Sequence, residues 1–168
     1  ATALAGEALL LARLPAMRSL PAGAVALPGG SSVRLVPGGN CFNLNSVAIG
    51  PAGAAVARPQ GIAQFTRLLV ALDLPEAEAI RIAAATADWI DADQQPQPGG
   101  AEDAAYARAV PAYRTGGTLM ADVSEWRAVA GVTPALYARA APHLCALPET
   151  ALSRPNINSL AASDAPVL

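Results

Sequence analysis

Apolar positions keep three different rhythms along this chain, and each rhythm predicts a different element. In "TALAGEALLLARL", Thr2 to Leu14, they run almost all the way round a helical turn in a segment of strong helix formers. That predicts a helix packed on most sides and limited by Pro15. In "AVALPGGSSVRLV" two short aliphatic runs flank Pro28-Gly29-Gly30-Ser31, which predicts a β-hairpin. In "CFNLNSV" the residues Phe42, Leu44 and Ser46 alternate with Asn43 and Asn45, and period two predicts a strand with one polar, exposed face. After an Ala-, Gly- and Pro-rich connector from Ala48 to Pro59 the rhythm changes again. Ile62, Phe65, Leu68, Leu69 and Leu72 fall at helical spacing. A second helix is predicted from Pro75, with Glu76 and Glu78 in its first turn, where the helix dipole favours acids. Further on, Asp122 and Glu125 make a capping box, and Thr133 and Pro134 form an N-cap followed by proline at the first helical position.

The middle of the chain therefore reads as helical and its flanks as β-like. The flanks also echo each other: "NLNSV" at Asn43 to Val47 returns as "NINSL" at Asn156 to Leu160. Two copies so far apart are not a repeat array, which needs at least three at a fixed period. They predict paired boundary segments, lying side by side, around a helical insert of about 100 residues, a plausible domain size.

Composition narrows the classes. The 168 residues are 53% hydrophobic but only 4% aromatic, so the core depends on close helix packing. The net charge is -2 and no basic run exists, which gives phosphate-driven nucleic-acid binding little support. No apolar run reaches the roughly 20 residues a bilayer-spanning helix needs. The chain opens on Ala1 inside a predicted helix, as a piece of a longer protein would. Its two cysteines, Cys41 and Cys145, read equally as small buried hydrophobes or as one disulfide.

The most chemically loaded stretch is "DWIDADQQPQPGGAED", with Asp88, Asp91, Asp93, Glu102 and Asp103. Counted from Asp91, the spacing of Asp93, Gln95, Gln97 and Glu102 matches the ligand places of an EF-hand loop. The sixth place, glycine in an EF-hand, is Pro96. The expectation is a loop that curls by a different path and brings its acids together, against the bland alternative of a solvated acidic loop. His143, the only histidine, reads as a partly buried surface residue, and no nucleophile elbow, phosphate loop or zinc spacing is present. "EWRAVAGVTPALYARA" permits a helix-hairpin-helix that would touch DNA backbone through Arg127 and Arg139.

Taken in order, "FNLNSV", "LLVALDLPEAEA", "ADWIDAD", "GGAED", "PAYR", "DVSEWRAVAGVTPALYARAAPHLCALPE" and "NINSL" resemble the K-type minor pseudopilin family of the bacterial type II secretion system. The resemblance runs from Phe42 to Leu160. It departs at Asn40-Cys41, where the family has Gly-Arg, and at Ile157 and Ser159, where it has Val and Thr. It implies an α+β fold: a pilin-like N-terminal helix and small antiparallel sheet carrying a large inserted α-helical domain. The expected units are residues 1–47 (helix and hairpin), 48–154 (insert) and 155–168 (return strand). It implies a non-enzymatic protein at the tip of a periplasmic pseudopilus, anchored in the inner membrane through a segment preceding residue 1. Its partners would be the I- and J-type minor pseudopilins, met through Leu4, Ala5, Ala8, Leu9 and Leu11, and secreted substrates at the insert. It implies calcium as the ion, with Asp88, Asp91, Asp93, Glu102 and Asp103 as candidate ligands. If the Asn motifs mark where the chain enters and leaves the insert, Cys41 and Cys145 sit at that neck, and a Cys41–Cys145 bridge is expected.

Overall fold

The computed structural model describes residues 24–26, 30, 32–34, 40–156 and 162–167. The expected N-terminal helix with its candidate partner-binding residues Leu4, Ala5, Ala8, Leu9 and Leu11, and residues 157–160 of the second Asn motif, lie outside the described residues. The chain divides into two compact units, residues 1–38 and 39–168. In the first, β1 (Ala24–Ala26) pairs antiparallel with β2 (Ser32–Arg34), Val25 opposite Val33, as the hairpin pattern predicts.

The second unit begins with β3 (Phe42–Asn43), followed by a 3₁₀ turn over Leu44–Val47. β4 (Ala48–Ile49) pairs antiparallel with β5 (Val56–Ala57) across the Gly- and Ala-rich connector. Helices α1 (Pro59–Ala71) and α2 (Glu76–Ile90) follow and pack on each other. Then come the acidic loop, the single-turn α3 (Asp103–Tyr106), a 3₁₀ turn over Val123–Ala128, and α4 (Pro134–Ala140). The last strand among the described residues, β6 (Leu144–Cys145), runs parallel to β3, with Phe42 opposite Leu144 and Asn43 opposite Cys145. A disulfide joins Cys41 to Cys145, their Cα atoms 5.7 Å apart and 104 positions apart in sequence. Closing a loop of that length restricts the unfolded chain by up to about 4.7 kcal/mol in the chain-entropy picture.

Helical periodicity places the core where the sequence reading expects it. Phe65, Leu68, Leu69 and Leu72 of the α1 stripe are buried. The rings of Phe42 and Phe65 stack at 4.8 Å, and Trp126 meets Phe65 edge-on at 5.6 Å. Trp126 Nε1 donates to Thr86 Oγ1 at 3.0 Å, so its one polar atom is satisfied inside the core. Gly61 lets α1 lie directly on the 3₁₀ turn, since a Cβ there would collide with the Ser46 carbonyl oxygen. Alanines at 79, 83 and 87 share one buried face of α2, whose residues from Ile82 to Ile90 are all buried. The predicted caps form: Asp122 and Glu125 close a capping box, and Thr133 Oγ1 accepts from Leu136 N at 3.1 Å.

Two expectations are corrected. The stretch after Cys41 is not a strand with an exposed polar face. It turns after two residues, and Phe42 through Ala48 are all buried, Asn43 and Asn45 included. The physical reason is local: Asn43 Oδ1 accepts from Asn45 N at 3.2 Å, a side-chain bond that competes with a strand ladder and caps the turn. The sheet also differs from one small antiparallel sheet. The described strands form three two-stranded pairs, one of them parallel. β3 finds its partner at Leu144–Cys145, ahead of the expected return strand; of the described residues of that segment, Pro155 and Asn156 lie in no element and Ala162–Val167 is a 3₁₀ turn. The first residue of the second Asn motif returns to the chain just ahead of the first motif: Asn156 N donates to Asn40 Oδ1 at 3.0 Å, three positions before Asn43.

Candidate metal centre

Helix α2 carries Asp88 into the interior within its last turn, and Asp91 stands at its C-cap. The chain then loops out and returns so that Glu102 becomes the N-cap residue of α3. One carboxylate oxygen from each of Asp88, Asp91 and Glu102 lies within 4.8 Å of the others. All three are buried, at 0%, 1% and 5% exposure. Asp88 is hydrogen-bonded: its two oxygens accept from Gln97 N at 2.9 Å and Ala101 N at 2.7 Å. Asp91 and Glu102 are not: all four of their oxygens are buried without a hydrogen-bond partner.

Buried carboxylates so close together cannot all ionise without a counter-charge. Burial pushes the Asp88 carboxyl up despite its two amide bonds. Burial first, and then the charges of Asp93 and Asp88, push Asp91 up to about 7. Burial, followed by Asp88, Asp91, Asp93 and Asp103, pushes Glu102 up to about 8. Such a site takes protons or a cation. Oxygen-only donors of this kind suit hard cations such as calcium, and four buried, unpartnered oxygens are the donor set such an ion lacks elsewhere in a protein interior. The residues therefore fit the ion that the acidic loop suggests.

The structure brings together three of the five predicted ligands. Asp93 is exposed and accepts from Gln95 N at 2.7 Å, so it acts on the cluster through its charge. The Asp103 carboxylate is taken by Thr115, whose N–H and O–H both donate to Oδ1 at 2.9 Å. Those bonds, with Arg114 at 4.0 Å, hold its carboxyl below the usual carboxylate range. Asp103 thus pins the loop that follows α3.

Sequence reasoning missed the role of Gly100 at this site and that of a second buried polar group elsewhere in the unit. Gly100 reads as a turn residue, but a Cβ on it would collide with the Asp88 carboxylate. Asn43 and Asn45 form a buried clamp on the returning chain. Asn43 Nδ2 donates to Glu149 O at 2.8 Å, and its Oδ1 accepts from Leu147 N at 3.0 Å. Asn45 Nδ2 donates to Met120 O at 2.9 Å and Leu147 O at 2.8 Å, while its Oδ1 accepts from Met120 N at 2.8 Å. The repeated Asn-x-Asn pattern was the available signal. His143 is half-buried, as expected.

The DNA-contact alternative gains nothing from this geometry. The first of its two helices is a 3₁₀ turn, and Arg127 lies over the Tyr137 ring at 5.0 Å.

Residues 40–149 match the family described as "Type II secretion system (T2SS), protein K". Two relatives are the type II secretion system protein K of Klebsiella pneumoniae, 41% identical over 128 residues, and that of Pectobacterium carotovorum subsp. carotovorum, 42% identical over 130. Each alignment covers 76% of this chain, which spans only 39% of either relative's length. The fold is similar to a chain in the crystal structure of the GspK-GspI-GspJ complex from the enterotoxigenic Escherichia coli type 2 secretion system. The TM-score is 0.75 at 30% identity, covering 99% of this chain and 63% of that one. The family match spans most of the chain and the fold agrees with it, so the chain belongs to the type II secretion system protein K family.

Proposed function

We propose that this chain is the periplasmic part of a minor pseudopilin that works by assembly and not by catalysis, at the tip of a type II secretion pseudopilus with the I- and J-type minor pseudopilins. The observation that carries this reading is the fold likeness to a chain of the GspK-GspI-GspJ complex, together with the family match over residues 40–149. The inner-membrane anchor would lie ahead of residue 1, and no helix among the described residues is long and apolar enough to cross a membrane. Leu4, Ala5, Ala8, Leu9 and Leu11 would present the packing face to the partners, because the segment is apolar nearly all round. Co-expression of the full-length protein with its I- and J-type partners should yield a complex on affinity purification. Ala8→Arg should abolish it while the circular dichroism spectrum is unchanged. A complex that survives the arginine removes this face from the interface, and no complex with wild type overturns the assembly reading.

The same reading includes a calcium ion held by Asp88, Asp91 and Glu102, with Asp93 adding charge from outside. Bound there, the ion would supply the positive charge that lets these buried carboxylates ionise together. Calorimetric titration of the calcium-free protein should show a binding heat that Asp91→Asn removes. A flat titration of wild type would overturn the metal reading.

A further inference from the structure

Asp88 differs from its two neighbours. It is fully buried, yet its carboxylate is engaged by the backbone of the loop it faces: Gln97 N at 2.9 Å on one oxygen and Ala101 N at 2.7 Å on the other. Between those two contacts Gly100 N donates to Gln97 O at 2.7 Å and closes the turn. Gly100 also leaves the space that the carboxylate fills, since any Cβ there would collide with Asp88 Oδ2. At its other end the loop is tied down by Ala92 N donating to Ala55 O at 2.9 Å. Every one of these bonds is made by the protein alone. Charge-assisted bonds from two amides to one buried carboxylate are among the stronger hydrogen bonds a fold offers.

We infer that Asp88, besides offering the ion an oxygen, is a positioning residue: a latch that closes the loop between Asp91 and Glu102 on the body of the protein before any cation arrives, with Gly100 as the space it needs. Asp91 and Glu102, whose four oxygens have no hydrogen-bond partner, are then presented in place, and binding does not have to order the loop. This rests on the metal reading above for what the loop holds. The latch itself does not.

The two are separable by experiment. In the isotope-labelled wild-type chain with chelator present, amide exchange by NMR should show Gln97 and Ala101 protected about a hundredfold or more over free peptide rates. Gly100→Ala changes no charge and should strip that protection, leaving the α1 amides as they were. The same variant should bind calcium about 10–100-fold more weakly, the size typical of losing an outer-shell partner. Asp93→Asn removes a nearby charge without touching the latch and should cost only a few-fold. The latch is overturned if Gln97 and Ala101 exchange freely in chelator and gain protection only with calcium, a result read on wild type whether or not a variant folds. It is also overturned if Gly100→Ala binds calcium like wild type. Protected amides in a protein that binds no calcium would overturn the metal reading and not the latch.

Discussion

Two regions of this molecule bury polar side chains to the same depth and treat them in opposite ways. Asn43 and Asn45 are 2% and 0% exposed, and their amide groups bond to the backbone at Met120, Leu147 and Glu149. Asp91 and Glu102 are 1% and 5% exposed, and none of their four oxygens has a hydrogen-bond partner. Burial is therefore no guide to role; the partner inventory is. A neutral amide can be satisfied by backbone and then fixes structure. A carboxylate buried without partners costs stability until a proton or a cation joins it. The amide region is complete within this chain, whereas the carboxylate region needs something from outside it.

The largest effect should come from breaking the complete region. Asn45→Leu keeps the branching of the side chain but leaves the buried N–H and C=O of Met120, and the C=O of Leu147, without their partner. An unsatisfied buried group costs about 1–3 kcal/mol, so denaturant unfolding should show a loss of roughly 2–5 kcal/mol. The loss should be the same with calcium or chelator. A change below about 0.5 kcal/mol, the usual range for surface substitutions, would show that the clamp holds nothing.

How much of this contrast is legible in the sequence depends on which residues are asked. The stripe of Phe65, Leu68, Leu69 and Leu72 spans about two turns of helix, enough for its period to be read and its buried face to follow. The capping pairs are local and chemically specific, and they form as read. The five residues from Phe42 to Ser46 are too few for period two to be told from a turn, and the bond from Asn45 N to Asn43 Oδ1 decides it for the turn. In the acidic stretch, composition shows that carboxylates crowd. It cannot show which ones face inward, because that depends on where α2 stops and how the loop returns. Asp91 caps the helix and is buried, while Asp93, two positions on, is exposed. Asp103 is claimed by Thr115, twelve positions away, a pairing that no spacing rule reveals. Gly100 carries a turn signal that is true but incomplete: its missing side chain also makes room for Asp88.

The incomplete region should respond in the opposite sense. Glu102→Gln keeps the shape and removes a carboxyl that must take up a proton to be buried beside its neighbours, so in chelator it should melt above wild type. With calcium the order should reverse, because the variant lacks a ligand. At a hundredfold excess over the dissociation constant, a ligand of the folded state adds about 2.7 kcal/mol, or roughly 5–10 °C for a chain of this size. Wild type should show that gap between calcium and chelator, and Glu102→Gln should lose most of it. A variant with the full wild-type response would take Glu102 out of the site. One that melts below wild type in chelator as well would show that the carboxylate is structural, like the asparagines.

The smallest effect is a matter of pH, and it separates the two regions by a property that only one of them has. In the calcium-free protein Asp91 and Glu102 titrate near 7 and 8, above their ordinary values of 3.8 and 4.5. A group whose folded value is raised contributes stability that is complete below its unfolded value and is lost as pH rises through the folded one. Calcium-free protein should therefore melt progressively lower as pH climbs through 7 and 8, with a slope of at most about 1.4 kcal/mol per proton per pH unit. With calcium bound as proposed, these carboxylates would already be ionised, so the melting point should hold across the same range and the gap between the two curves should widen. The loss caused by Asn45→Leu should not change with pH, since an amide does not titrate. Thermal melts of wild type and Asn45→Leu in half-unit steps from pH 6 to 9, with calcium and with chelator, give all four curves. Parallel calcium and chelator curves would mean that the buried carboxylates are already neutralised by something within the chain, and the contrast between the two regions would collapse.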